Sequence, residues 1–156
     1  MGNWGSGCGC GFGFYNVVYG FRCPLFMEYN RNKDFTTLEA WKKARALRLY
    51  IYEEVIPNLP FDEKYNLNTQ TRKASTSATA NIAEGYGRYH YQEGIQSYRI
   101  ARGSIFELKD HLISCSDNKF IDVGAFEKGM TLIEEALVTL NGYIRYVQRQ
   151  KMSNAG

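Results

Sequence analysis

Residues 126–147 read FEKGMTLIEEALVTLNGYIRYV, and the spacing of their apolar members decides the fold. Phe126, Met130, Ile133, Leu137, Leu140, Ile144 and Val147 alternate in steps of four and three, the repeat of one face of an α-helix. A strand would demand steps of two. Working back along the chain, Tyr98, Ala101, Ile105, Leu108, Leu112 and Cys115 step in the same heptad-like way. SDNKFIDVG, residues 116–124, separates the two as a turn.

Two more helices precede these. Residues 67–84 end at Gly85 and Gly87, natural places for the left-handed residues that stop a helix. Their middle, ASTSATA (residues 74–80), is small-sided and admits a neighbouring backbone at close range. Leu38, Trp41, Ala44, Leu47 (or Arg48), Ile51 and Val55 make a first amphipathic helix that stops at Pro57. Asp34, Thr36 or Thr37 is available to cap it. PNLPFDEKYN, residues 57–66, connects it to the second. Four helices with short links predict an all-α, antiparallel up-down four-helix bundle over residues 34–151, with 152–156 as a tail.

Residues 1–33 are of another kind. Seven of the first twenty residues are Gly, and no acidic residue precedes Glu28. No basic residue precedes the aromatic stretch, so a secretory signal is not expected, and no run nears the roughly 18 apolar residues of a membrane span. Cys8, Cys10 and Cys23 lie in this leader and Cys115 in the bundle, which predicts neither a disulfide framework nor a zinc set. The expected compartment is the cytoplasm. Being Gly-rich and without helical period, residues 1–26 are expected to be dispensable for folding.

No catalytic constellation emerges. A di-iron bundle needs Glu-x-x-His on two helices; Glu107 and His111 are one residue too far apart, and a solvated pair is the plainer assignment. Ser104, Asp110 and His111 share a helix on which adjacent residues diverge by about 100°, so no triad forms. GCGCGFG, residues 7–13, has neither the Lys nor the following helix of a phosphate loop. No metal and no cofactor is expected.

The chemically informative stretch is ANIAEGYGRYHYQEG, residues 80–94. Glu84 at a helix C-terminus calls for a cation, and Arg88 is the expected partner. Asn81, among small residues, is expected to bond across to another helix. Tyr86, Arg88, Tyr89, His90 and Tyr91 then alternate basic and aromatic character, either a contact for RNA or DNA or a capped turn with interfacial tyrosines. The net charge of +3 is too small to decide between them. Arg72, Lys73, Arg99 and Arg102, with Arg88, are the candidate contacts for nucleic acid or a protein partner. Asn81, Glu84, Gly85 and Gly87 form a structural motif. A further cluster, Lys42, Lys43, Arg45 and Arg48, lies on the first helix.

SATANIAEGYGR (77–88), LEAWKKARALRLYIYEEVIPNLP (38–60), IARGSIFELKDHL (100–112) and the fourth helix together resemble the bacterial four-helix bundle protein family. It includes proteins encoded in intervening sequences of large-subunit ribosomal RNA genes and the accessory variability determinant (Avd) of diversity-generating retroelements. The resemblance covers about residues 35–150 and implies a non-enzymatic bundle assembling as a ring-like homopentamer. In the retroelement branch it further implies binding to the reverse transcriptase and to template RNA or cDNA. The leader has no counterpart in the family. Its GNW, FGF and closing GFRC resemble the end of a C-type-lectin-fold variable protein. Adenine-directed mutation of an AAC codon yields Asn, Ser, Gly, Cys, Phe, Tyr and Val, and these supply residues 2–20 except Trp4. The leader therefore resembles a translated variable or template repeat, with Met27 as a plausible native start.

Overall fold

The computed structural model describes residues 34–88 and 90–153, and among them every regular element is helical. The leader assigned to residues 1–33 lies outside the described residues, as does Tyr89. Four long helices carry the fold: α1 (Glu39–Tyr50), α2 (Leu67–Gly87), α3 (Tyr91–Asp117) and α4 (Val123–Ser153). The expected four-helix bundle is present. α4 runs two residues into the segment assigned to the tail.

Contacts between the helices fix their sense. Along α2 and α3, Gly85 meets Gly94, Ser77 meets Ser104 and Thr71 meets His111, so one number falls as the other rises. Tyr98 with Tyr143, Arg102 with Asn141 and Leu112 with Gly129 show the same for α3 and α4. Lys43 with Glu135 and the Tyr50 hydroxyl on the Ala125 carbonyl (2.6 Å) close the square between α1 and α4. Each helix is antiparallel to its neighbours.

The chain enters through a short 3-10 turn, Phe35–Thr37, whose Phe35 amide donates to the Asp34 carboxylate at 2.7 Å. Asp34 thus caps this turn, while α1 itself begins behind Leu38 without a side-chain cap. After Tyr50 the helix widens into a π segment, Ile51–Val55, and ends in a 3-10 turn, Ile56–Asn58, at Pro57. A further 3-10 segment, Phe61–Tyr65, leads to α2.

The core follows the sequence repeat closely on α3, where the whole seam from Tyr98 to Cys115 is buried. On α4 the stripe is rotated. Ile133, Leu140, Ile144 and Val147 are buried, but Phe126, Met130 and Leu137 are only half-buried, and Gly129 and Ala136 take the centre. The cause is steric. A Cβ on Gly129 would lie 2.6 Å from the Leu112 Cδ2 and 3.2 Å from the Tyr50 ring, so large neighbours fill the space a larger residue would need.

The expectation about chain reversal after α2 needs correction. Gly85 and Gly87 do not end α2 in a left-handed conformation; the helix runs through Gly87, and no described glycine has a positive φ. The left-handed position is Lys119, φ 59°, after α3. There the Phe120 amide bonds the Cys115 carbonyl (2.9 Å) and the Lys119 amide bonds that of Ser116 (2.9 Å). This is the Schellman arrangement, with Lys where Gly is usual.

Candidate nucleic-acid and partner interface

The α2–α3 corner is built from small residues. Gly85 is buried inside α2 because a Cβ there would meet the Tyr98 Cε1 at 2.5 Å and the Gly94 carbonyl oxygen at 3.0 Å. A Cβ on Gly94 would in turn lie 2.9 Å from the Gly85 carbonyl oxygen. The two helices therefore touch backbone to backbone where the chain reverses. Further along, the Ser77 and Ser104 hydroxyls bond each other at 2.8 Å, and Thr71 reaches His111 Nδ1 at 3.2 Å. His111 is thus half-buried against α2 rather than paired in solvent with Glu107, and Ser104 and His111 serve different neighbours. Asn81 corrects another expectation. Its amide donates to the Ser77 carbonyl (2.9 Å) and hydroxyl (3.1 Å) on its own helix, and Ser77 is the residue that crosses to α3.

Glu84 and Arg88 pair as expected, and Arg88 also approaches Glu93 at 3.8 Å. The Glu84 carboxylate raises the already high pKa of the guanidinium. Two carboxylates on one Arg leave little positive charge for a phosphate. Pairs as exposed as these are screened by solvent and add little to stability, so Arg88 organises the turn rather than the whole fold.

The remaining basic candidates do not gather into one patch. Arg72 and Lys73 are exposed near the start of α2, about 24 Å along the axis from Arg88. Arg72 lies over the Tyr52 ring at 4.9 Å and donates to Asn68 (2.8 Å), beside a surface cavity with Pro60, Phe61 and Tyr65. Phe61 and Tyr65 are 78% and 81% exposed there. Arg102 is half-buried, donating to Asn141 at 3.3 Å, and Arg99 is exposed one turn away. Of the α1 cluster, Lys42 pairs with Glu39, Lys43 with Glu135, and Arg48 donates to Thr79 at 2.9 Å. Those three bind within the bundle.

The sequence offers Tyr86 and Tyr91 as turn residues and Tyr98 as a seam residue, and does not show that they converge. Tyr86 of α2, Tyr91 and Tyr98 of α3, and Tyr143 and Tyr146 of α4 line one cavity of about 210 Å³. No local pattern announces it, since the residues come from three helices. Burial pushes the Tyr98 hydroxyl far above its ordinary pKa and Tyr143 upward too, so both stay protonated.

Among the described residues no helix is long and apolar enough to cross a membrane, and no group of three His, Cys, Asp or Glu side chains is placed to hold a metal ion. No curated protein matches the chain. The model of the 23S rRNA-intervening sequence protein family matches residues 36–142, most of the four-helix body including the Gly85–Gly94 corner. On that match, the chain belongs to the 23S rRNA-intervening sequence protein family.

Proposed function

We propose that this chain is a non-enzymatic accessory protein that binds nucleic acid as a homo-oligomer. In its finer form the proposal is an Avd-type accessory protein of a diversity-generating retroelement. It binds the reverse transcriptase and the template RNA in the cytoplasm, as a homopentamer, and supports mutagenic cDNA synthesis. One observation carries the finer form. Residues 2–20, apart from Trp4, use only residue types that adenine-directed mutation of AAC codons produces. The dispersion of Arg72, Lys73, Arg99 and Arg102 over one bundle is compatible with this role. A patch too weak on one protomer becomes strong when repeated around a ring.

The decisive test is the neighbouring DNA. A reverse transcriptase gene, and a near-copy of the leader differing only at adenines, are the expected findings. In solution, RNA retention falls steeply with salt, because phosphate contacts release counterions. Charge reversal of Arg72, Lys73, Arg99 or Arg102 to Glu, one per variant, lowers retention with helicity and oligomer intact. Salt-insensitive binding, or four variants indistinguishable from wild type, rules these residues out. The family match favours a second reading, a protein of the ribosomal intervening-sequence type with other partners. It takes over when neither gene-neighbourhood feature is present.

A further inference from the structure

We infer that the tyrosine-lined cavity at the α2–α3 corner seats a single unpaired nucleobase of a bound single-stranded nucleic acid. The inference rests on the nucleic-acid-binding function proposed above and names what one protomer recognises. At about 210 Å³ the cavity is smaller than the roughly 300–1,000 Å³ of drug-sized sites, which suits one flat ring system.

Its walls suit a planar guest. Tyr98, 2% exposed, is held edge-on to Tyr143 at 5.1 Å and 69°, and Gly85 leaves room for its ring. Tyr143 in turn stacks with Tyr146 at 6.1 Å and 24°, and Tyr146 is 55% exposed. A buried ring therefore supports an outer ring that is more than half exposed, the kind of aromatic platform on which bases stack without regard to sequence. The Tyr146 hydroxyl and the Gln150 amide offer donors and acceptors for base edges. The cavity is not a phosphate site, because Arg88 at its edge is already paired with Glu84 and Glu93.

Backbone phosphates have a place close by. The same ends of α3 and α4 line a second cavity with Gln92, Ile95, Arg99, Gln148, Lys151 and Met152. Tyr98 adjoins Arg99 and Gln150 adjoins Lys151 in the chain, so the two sites are about one helix width, roughly 10 Å, apart. Lys151 bonds the neutral Gln92 amide at 2.7 Å, and neither Lys151 nor Arg99 has a carboxylate partner among the described residues. Aromatic faces beside uncompensated cations match the alternation of base and phosphate along a single strand.

The test uses the full chain and a uridine oligonucleotide carrying one 2-aminopurine, prepared as RNA and as DNA. Stacking quenches that base. Wild type is expected to bind and quench it, and the stronger of the two oligonucleotides identifies the source of the base. Tyr146→Leu is expected to restore emission and weaken binding about tenfold, whereas Tyr146→Phe keeps both. Arg99→Glu is expected to weaken binding and leave the quench of the bound fraction intact. Binding with unchanged emission overturns the nucleobase site and leaves the proposed function standing. No binding of either oligonucleotide overturns both. If Tyr146→Leu dissociates the oligomer in light scattering without altering the quench, the cavity holds a neighbouring protomer and the inference fails. Tyr146 is exposed, so circular dichroism is expected to show unchanged helicity in both variants.

Discussion

α2 and α4 bury comparable faces by opposite means. The α2 face is Thr71, Ala74, Ser75, Ala78, Thr79, Ile82 and Gly85, small and half polar. The large side chains of the α4 face are Ile133, Leu140, Ile144 and Val147, set around the small Gly129 and Ala136. One helix gains stability by bringing backbones close and satisfying each hydroxyl, as with Ser75 on the Arg72 carbonyl (2.9 Å) and Thr79 on that of Thr76 (3.1 Å). The other gains it from apolar volume removed from water. Among the described residues no buried side-chain N or O atom lacks a partner, so the polar face carries no desolvation penalty of that kind. The small-residue contacts therefore fail when volume is added, at Gly129 of α4 as well as along α2, and the large apolar positions fail when it is removed.

The largest effect is expected on the apolar side. Leu140 is fully buried, and Leu140→Ala leaves a cavity costing about 2–5 kcal/mol, read as a lower urea midpoint. On the close-packed side the sign of volume reverses. Gly94→Ala drives a Cβ against the Gly85 carbonyl, a backbone atom that cannot rotate away, and is expected to cost about 1–3 kcal/mol despite the better helix propensity of Ala. A Gly94→Ala variant as stable as wild type would show that the α2–α3 contact is loose.

Alkaline titration probes the α3 seam shared by both regions. Burial pushes the Cys115 thiol up to about 11, with the Glu63 carboxylate adding to it. The folded state then holds its proton more tightly than the unfolded chain, whose thiol titrates near 9.0. That stabilisation is complete below about pH 9 and is lost as pH rises toward 11, a loss of about 1 kcal/mol by pH 10. Denaturant melts of wild type and Cys115→Ala across that range check it, since the variant lacks this component of the slope. Gly103 sharpens the glycine comparison, because a Cβ there meets nothing within 4 Å. Gly103→Ala is expected to stabilise by about 0.5–1 kcal/mol, opposite in sign to Gly94→Ala. Smallest of all is Arg88→Ala, expected to leave the thermal midpoint nearly unchanged because the pair is exposed and screened by solvent.

The periodic helices were open to reading because burial of one face imposes its repeat on the sequence. The α3 seam matches residue for residue, and the Glu84–Arg88 pair follows from the need of an anion near a helix C-terminus for a cation. The α4 stripe differs where Gly129 and Ala136 stand, since a repeat of large residues cannot reveal that small ones occupy the centre. Asn81 departs from expectation for a related reason: its acceptor lies one turn back on its own helix, and Ser77 makes the crossing. Of the candidate contacts, Arg88 turned out to be paired twice, and Arg72 and Lys73 stand at the opposite end of α2.

By itself the sequence determined the number of helices, their order, and which residues of α3 face inward, because these depend on spacing within one segment. Only the tertiary structure decided that Gly85 and Gly94 meet, that Lys119 rather than a glycine turns left-handed, and that five tyrosines share one cavity. The glycine contact and the tyrosine cavity depend on distances between residues on different helices, whereas the Lys119 turn is a local pattern of hydrogen bonds that Lys completes in place of Gly. Such distances follow from how closely whole helices pack, which no single helix encodes.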